Sequence, residues 1–178
     1  MNKKLVNFIL LIVLIFFSCN TLHNTHDKRF ISRLHTPKEE IDWYRILGAT
    51  SLNKHLTDFD AIEWEKEYWE EYKSGDDNNS FLEVMDTENN TYFSVSTFPY
   101  QDDSFQFAIY IGSRSLKVEE GKEIEKGYVR CFLLGSNNPE KVKWLMKIFF
   151  KRDYDVLFNE IDKLQVLFET EDVYQNIE

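Results

Sequence analysis

The chain has little of the residues that build several common kinds of site. Its 178 residues include two cysteines, three prolines and six glycines. Two cysteines exclude a disulfide framework and a four-thiolate zinc site, and so few prolines and glycines exclude a low-complexity linker. Basic residues are also outnumbered, 21 against 31 acidic ones. A general nucleic-acid binder needs a basic face, so that class is excluded as well.

Histidine is scarce and unevenly placed. The four histidines are His23, His26, His35 and His55, so none lies in the last two thirds of the chain. A catalytic triad built on the later strands would lack its base unless the N-terminal segment folded back. His23 and His26 have a spacing seen in metal sites, but no third ligand lies near them and a solvated stretch is the simpler interpretation. We therefore expect no catalytic residue, no metal and no cofactor.

Other groups with catalytic potential have ordinary structural explanations. Cys131 lies within a strand pattern and is expected to be a small buried hydrophobic residue. A disulfide to Cys19 is the alternative. The acid pairs Asp76-Asp77, Asp102-Asp103 and Glu119-Glu120 are expected in solvated turns. Two carboxylates can hydrolyse a glycoside, so a carboxylate-dependent hydrolase remains the least favoured class.

An apolar leader is the clearest feature that is present. Lys3 and Lys4 precede an unbroken apolar run over residues 8–17, which Ser18 and Cys19 follow. Ten residues make about 15 Å of helix, half of the hydrocarbon core of a bilayer, and this length is typical of a signal peptide and short for a stable span. A plain cleaved signal or an uncleaved anchor is the alternative to lipidation.

The leader resembles that of bacterial lipoprotein precursors. Ser18 matches the small residue that precedes cleavage, and Cys19 matches the cysteine that receives the lipid and becomes the mature N-terminus. The resemblance implies that the protein is held in the cell envelope by acyl chains on Cys19, with the outer membrane favoured over the inner one. Several chains, at about 0.8 kcal/mol for each buried CH₂, would make this anchoring permanent.

The chain is expected to divide into four parts. These are a signal peptide (1–18), a lipidated tether (19–35), a single domain (36–170) and a frayed tail (171–178). Cleavage removes two lysines and no acid, which leaves 19 basic against 31 acidic residues and a net charge of −12. Such a charge suits a basic partner and is repelled by anionic membrane surfaces.

The hydrophobic periodicity predicts a sheet with helices at both ends of the chain. A capping pattern at Thr36-Pro37 predicts a short helix that ends near Gly48, and a second helix is expected over 57–73. Period-two alternation predicts strands over 81–85, 91–98, 105–111 and 128–134; residues 115–127 are expected to be a loop or weak hairpin.

Two more helices are expected after the last of these strands, one from Pro139 and one that carries Leu157, Ile161, Leu164 and Phe168 on one face. The fold class is therefore α+β, an antiparallel meander of four or more strands with N-terminal and C-terminal helices packed on one face.

The alternation also predicts which residues form the core. Phe107 and Ile109 are expected on the sheet face that packs against the helices, with Leu145 and Phe149 opposite them.

The most unusual segment is the helix expected over 57–73. Residues 58–77 hold nine acids and five aromatic residues against two lysines, Lys66 and Lys73. Like charges four residues apart destabilise a helix by about 0.2–0.5 kcal/mol for each pair. Such a run is most often a solvated face. The functional hypothesis is an acidic, aromatic-edged docking surface for a basic protein, formed by Asp60, Glu63, Trp64, Glu67, Tyr68, Glu70 and Glu71.

Small acidic α+β domains of this kind, some of them exported as lipoproteins, resemble in type the immunity proteins that neutralise antibacterial toxins. That resemblance implies a protein-binding module that plugs a basic active site and catalyses nothing itself. The alternative class is a structural or accessory envelope lipoprotein that binds a membrane component or a glycan through exposed Trp and Tyr side chains.

Replacing Cys19→Ser is expected to abolish fatty-acid labelling and membrane retention, because no other residue in the leader can accept the lipid. Metabolic labelling with a fatty-acid analogue, followed by membrane fractionation, measures both effects. Cys131→Ser is the matched control and should be labelled like the unmodified protein. Equal labelling of the Cys19→Ser variant would exclude lipidation.

Overall fold

The computed structural model describes residues 27–37, 44–75, 79–101, 104–119 and 122–172. Within these ranges the chain forms seven strands and four helices. In chain order they are β1 (Asp27–His35), β2 (Arg45–Thr50), α1 (Leu52–Ala61), α2 (Trp64–Ser74), β3 (Phe81–Asp86), β4 (Thr91–Tyr100), β5 (Ser104–Glu119), β6 (Lys122–Leu133), α3 (Pro139–Phe150), α4 (Tyr154–Ile161) and β7 (Gln165–Asp172).

The seven strands form one antiparallel sheet in the order β2-β1-β3-β4-β5-β6-β7. Only β1 departs from a simple meander, since it lies between β2 and β3. The pair α1-α2 connects β2 to β3, and the pair α3-α4 connects β6 to β7. Neighbouring strands are otherwise joined by short connections, which is the usual economy of antiparallel sheets.

Local side-chain caps explain where two of the helices begin. The Ser51 side chain accepts a hydrogen bond from the Lys54 backbone N–H at the start of α1. At the start of α3, Asn138 Oδ1 accepts from the backbone N–H groups of Glu140 and Lys141. Both caps satisfy N–H groups that have no partner within the first helical turn.

The helix that the sequence predicts over 57–73 is two helices in the structure. Ile62 is extended and ends α1, and α2 begins at Trp64. The Trp64 indole N–H donates to the Phe59 carbonyl oxygen over 3.0 Å, which binds the start of α2 to the end of α1. Gly75, at a φ of 72° that a residue with a side chain rarely adopts, ends α2.

All four helices cover one face of the sheet, the helix face. Directly opposed residues in neighbouring strands share a face, so the strand residues of the main core all lie on this side: Phe30, Leu82, Val84, Phe93, Val95, Phe105, Phe107, Ile109, Ile111 and Phe132. The helices contribute Phe59, Trp64, Tyr68, Val142, Leu145, Met146, Ile148, Phe149, Leu157 and Ile161 to the same core. The prediction that Phe107 and Ile109 pack on the side of Leu145 and Phe149 is confirmed.

The predicted fold class is wrong in the placement of its helices. The described chain starts with strands: residues 27–35 form β1 in place of a tether, and β2 occupies residues 45–50 of the predicted first helix. Residues 38–43 of that helix lie outside the described ranges. A six-residue strand such as β2 is too short for its period to be distinguished from that of a helix, and Gly48, at a φ of 88°, lies inside β2 and does not end a helix.

The C-terminal part of the prediction needs the same correction. Residues 165–172 form β7 and not a helix. The four-residue spacing of Leu164 and Phe168, which suggested a helix, is a coincidence. For residues 115–127 the hairpin, one of the two predicted alternatives, is observed: residues 115–119 and 122–127 continue β5 and β6 as an antiparallel pair. The helices lie in two pairs between strands, and the sheet has seven strands within the described ranges.

A buried carboxylate joins the β3–β4 turn to the α3–α4 turn. Asp86 accepts hydrogen bonds from Arg152 at 2.7 Å, from Tyr154 at 2.5 Å and from Asn89 at 2.7 Å. Burial alone would raise the pKa of Asp86, but these hydrogen bonds outweigh it and hold the pKa below its usual value. The Arg152 guanidinium also lies 5.3 Å from the centre of the Phe30 ring, so the network fastens β1 as well.

Replacing Phe107→Ala is expected to lower the free energy of unfolding by about 3–5 kcal/mol, because the side chain is fully packed between the sheet and α1-α2. Chemical denaturation measures the change. Phe158→Ala is the matched control; this phenylalanine is partly exposed on α4 and should cost less than about 1.5 kcal/mol. Equal losses for the two variants would contradict the strand register described above.

Candidate functional site

A row of six side chains crosses the face of the sheet opposite the helices, the reverse face. Each member is the direct cross-strand partner of the next, one from each strand between β1 and β7. The row runs Arg33, Glu83, Ser94, Tyr110, Cys131 and Phe168. The polar side chains of the row are its first members, from Arg33 to Tyr110.

The charged end of the row is a buried ion pair. Arg33 Nε lies 2.6 Å from Glu83 Oε1, and the guanidinium lies 4.5 Å from the centre of the Tyr44 ring. Next to Glu83, the Ser94 hydroxyl is buried without a hydrogen-bond partner. Burying such groups costs free energy that a pair regains only with good geometry. A slip of β1 by one residue against β3 would move Arg33 into the main core and leave Glu83 without its partner, so the pair fixes the register of these strands.

Tyr110 and Cys131 form the centre of the row and are hydrogen-bonded to each other. The Tyr110 hydroxyl is hydrogen-bonded to Ser96 and Cys131, and burial raises its pKa far above the usual value. Burial also raises the pKa of the Cys131 thiol to about 11. A thiol that stays protonated at neutral pH is a poor nucleophile. The prediction that Cys131 is a buried small hydrophobic residue is confirmed.

The neighbouring row requires a glycine. Tyr92 on β4 is directly opposite Gly112 on β5, and its ring lies across the glycine so closely that a Cβ added there would overlap the ring. Only glycine allows this approach. The aromatic ring thereby covers backbone that would otherwise lack a side chain to pack against it.

The N-terminal segment does fold back and brings histidines to the sheet. His35 lies on β1, and His55 lies in α1 against the helix face. Ser32 Oγ and His55 Nδ1 are 2.9 Å apart, while His55 Nε2 is buried without a partner. A serine–histidine pair has the parts of a nucleophile and base, but both residues are fully buried.

Several residues of the hypothetical docking surface belong to the core. Trp64 and Tyr68 are only 8% and 4% exposed. Trp64 packs edge-on against Phe107 with ring centres 5.7 Å apart, and Tyr68 packs against Phe105 at 5.5 Å. Neither ring is therefore available to anchor a partner. Glu71 is buried on the same side of α2.

The remaining acids of that surface fall into two groups. Asp60 pairs with Lys143 of α3 at 2.7 Å, and Glu67 accepts a hydrogen bond from Ser80, so both bind within the domain. Glu63 and Glu70 are exposed. Glu63 lies 2.7 Å from Lys66, but an exposed pair of this kind contributes little to stability. The structure thus brings Glu63 and Glu70 to solvent and separates them from the buried members.

Two other aromatic residues of α2, Trp69 and Tyr72, lie closer to solvent than Trp64 and Tyr68. Tyr72 is 57% exposed, and Trp69 is partly buried against it with ring centres 5.6 Å apart. Because Ile62 is extended, the helical spacing counted along α1 does not carry through into α2. The extended residue between the helices was the signal that helical periodicity missed.

Acidic charge is concentrated on one half of the helix layer. Residues 52–75, which hold α1 and α2, carry seven acids against three lysines, whereas residues 138–163, which hold α3 and α4, carry five acids against six bases. The surface formed by exposed Glu63, Glu65, Glu70 and Tyr72 with partly buried Trp69 is called the acidic surface below. It fits a cationic protein better than any other described part of the helix layer.

Comparison with known proteins identifies no relative of this chain. No protein-family model, curated protein or solved structure matches the chain. Across the described ranges, no three His, Cys, Asp or Glu side chains converge as metal ligands. Nor does any helix in those ranges combine the length and apolar character needed to cross a bilayer.

His55 is expected to make stability depend on pH. Burial, with a smaller effect of Lys54, lowers its pKa from 6.5 to about 3. The unfolded chain therefore binds a proton more readily, and stability present above pH 6.5 is lost as the pH falls towards 3. Between pH 7 and pH 5 this loss amounts to about 2 kcal/mol, at roughly 1.36 kcal/mol for each pKa unit.

Chemical denaturation of His55→Gln at pH 7 and pH 5 measures that contribution. Between these pH values the free energy of unfolding of the variant should fall by about 2 kcal/mol less than that of the unmodified protein. His35→Gln is the matched control and should keep the full loss. The same loss in His55→Gln as in the unmodified protein would show that another group is responsible.

Proposed function

We propose that the chain is a lipoprotein anchored in the bacterial cell envelope, with the outer membrane favoured, whose domain binds a basic protein and catalyses no reaction. The observation that carries this proposal is the acidic surface, where the carboxylates of Glu63, Glu65 and Glu70 are exposed on the same short helix as the exposed ring of Tyr72. Charge of this kind accelerates encounter with a cationic partner, and a clustered aromatic anchor then slows dissociation.

Anchoring through Cys19 would hold this surface near the membrane. Since β1 begins at Asp27, residues 20–26 are the only link to the lipid. Seven residues span at most about 25 Å when fully extended. The domain, with its net charge of −12 after cleavage, is repelled by anionic lipids and remains available to a soluble or membrane-bound protein.

The chemistry of the acidic surface is compatible with toxin neutralisation of the immunity type. A basic active site is itself a cationic concave surface, and a rigid acidic helix pair would block it by charge and shape. The rigidity of α2 comes from Trp64 and Tyr68, which pack into the core beneath the exposed residues. A preorganised surface loses less entropy on binding than a mobile one.

Glycan binding through exposed aromatic residues has weaker support. Trp144 is the large aromatic residue that α3 exposes, but the Lys141 ammonium lies 3.9 Å from its ring centre and occupies one face of the ring. A sugar that stacks on Trp144 would have to displace this cation–π contact.

Replacing Glu63→Gln, Glu65→Gln and Glu70→Gln together is expected to slow association with the partner about tenfold at low salt and to flatten its salt dependence. Replacing Tyr72→Ala should instead raise the dissociation rate by tenfold or more. The measurements are capture from envelope extract by the lipidated protein, followed by binding kinetics of the captured protein at two salt concentrations.

The control removes three exposed charges from the other helix pair, in the variant with Glu140→Gln, Asp155→Asn and Asp162→Asn. It should associate within twofold of the unmodified protein. Equal slowing by both triple variants would show that the association rate depends only on the net charge of the protein. A triple Gln variant of the acidic surface that gains stability and keeps its partner would show that this surface is only solvated.

A further inference from the structure

The last strand of the sheet exposes apolar side chains at an edge. Among the described residues β7 pairs on one side only, with β6. Val166, Leu167 and Phe168 are 45%, 37% and 41% exposed. An edge strand presents backbone N–H and C=O groups to any chain that can pair with it, and proteins usually protect such edges.

The opposite edge shows what protection looks like in the same sheet. There β2 has six residues, its pairing with β1 is interrupted by two register shifts, and Gly48 departs from strand geometry at a φ of 88°. In contrast, β7 pairs regularly with β6 from Phe168 to Asp172 after one bulge near its start. The β7 edge therefore offers a longer and more regular template than the β2 edge.

Charge selects the kind of segment that fits this edge. The first half of β7 is apolar, at positions 166–168, and the second half carries acids at positions 169, 171 and 172. Every neighbouring pair in the sheet is antiparallel. An added antiparallel strand would place its N-terminal half beside the acids and its C-terminal half beside the apolar residues. Opposite charges and apolar pairs across strands are the stabilising combinations.

A second copy of this chain fits less well, a conclusion that rests on the lipid anchoring in the proposed function. Antiparallel pairing of two β7 strands would place the two Asp27 residues at opposite ends of the strands, an offset along the strand direction of about 27 Å for the eight residues of β7. Tethers of at most about 25 Å would not bring both ends to one membrane while the strands stand upright. Parallel pairing would place Glu169 beside its own copy.

We propose that β7 takes up, by antiparallel strand addition, an extended partner segment that is basic in its N-terminal half and apolar in its C-terminal half. Backbone hydrogen bonds supply the common part of the affinity, and the two halves of the segment supply the orientation. This assigns the proposed basic partner a second contact, at the sheet edge.

The probe is a synthetic peptide, KKTKVLVT, titrated into the full-length lipidated protein in mild detergent. Binding should protect from hydrogen exchange those backbone amides of residues 165–170 that do not already bond to β6. Only alternate amides of an added strand face β7, so N-methylation of one alternate set should abolish binding and methylation of the other should leave it within twofold. No binding at 1 mM peptide, or equal effects of the two methylated sets, would overturn the proposal.

Variants of the protein locate the contact. Leu167→Asp should weaken peptide binding at least tenfold, whereas Val156→Asp, at a similarly exposed residue of α4, should leave it within twofold. Equal weakening would overturn strand addition in favour of a nonspecific apolar patch. Light scattering that shows a dimer which Leu167→Asp dissociates would assign the edge to a second copy and overturn the proposal. If Leu167→Asp does not fold, hydrogen exchange and the methylated peptides still decide the outcome.

The two proposals fail separately. A peptide that does not bind β7 leaves the kinetics of the acidic surface unaffected, and loss of charge steering at the acidic surface leaves peptide binding at β7 unaffected.

Discussion

The position of β1 is the constraint on which the rest of the structure depends. This strand is paired on both sides, by β2 and by β3, although it lies first among the described elements. Its alternation sends Phe30 and Ser32 to the helix face, where they meet Phe150 and His55, and Arg33 to the reverse face, where it meets Glu83. Because β1 also follows Cys19 after only seven intervening residues, a lipid on that cysteine would connect the membrane directly to a strand that is paired on both sides.

The two faces of the sheet use different physics to fix the same register. On the helix face, large side chains interdigitate, and a slip of one residue would exchange them for polar ones. On the reverse face, the Arg33–Glu83 pair and the Tyr92–Gly112 contact allow only one alignment of β1 with β3 and of β4 with β5. Apolar packing supplies most of the stabilisation, whereas the ion pair contributes chiefly specificity, since burial of charge offsets much of its attraction.

The sequence predicts some parts of this structure well because their periods are long and regular. The alternation around Phe107 and Ile109 and the helical spacing of Leu145 and Phe149 give both the element and the face that is buried. The sequence does not predict β1, β2 and β7, because the pairing of these strands depends on distant strands and leaves little local pattern. The candidate site shows the same division. Glu63 and Glu70 are exposed as expected. Trp64 and Tyr68, which were expected at the surface, are buried, because one extended residue, Ile62, interrupts the helix.

The packing of α2 also explains how the domain tolerates the repulsion between the carboxylates of its acidic surface. Repulsion between neighbouring carboxylates on a helix costs about 0.2–0.5 kcal/mol for each pair, whereas burial of an aromatic side chain contributes roughly 1.5–3 kcal/mol. Trp64 and Tyr68 are both buried at the base of α2, and Trp64 adds a hydrogen bond to Phe59. Packing therefore outweighs repulsion, and the identity of the exposed residues is free of the demands of stability.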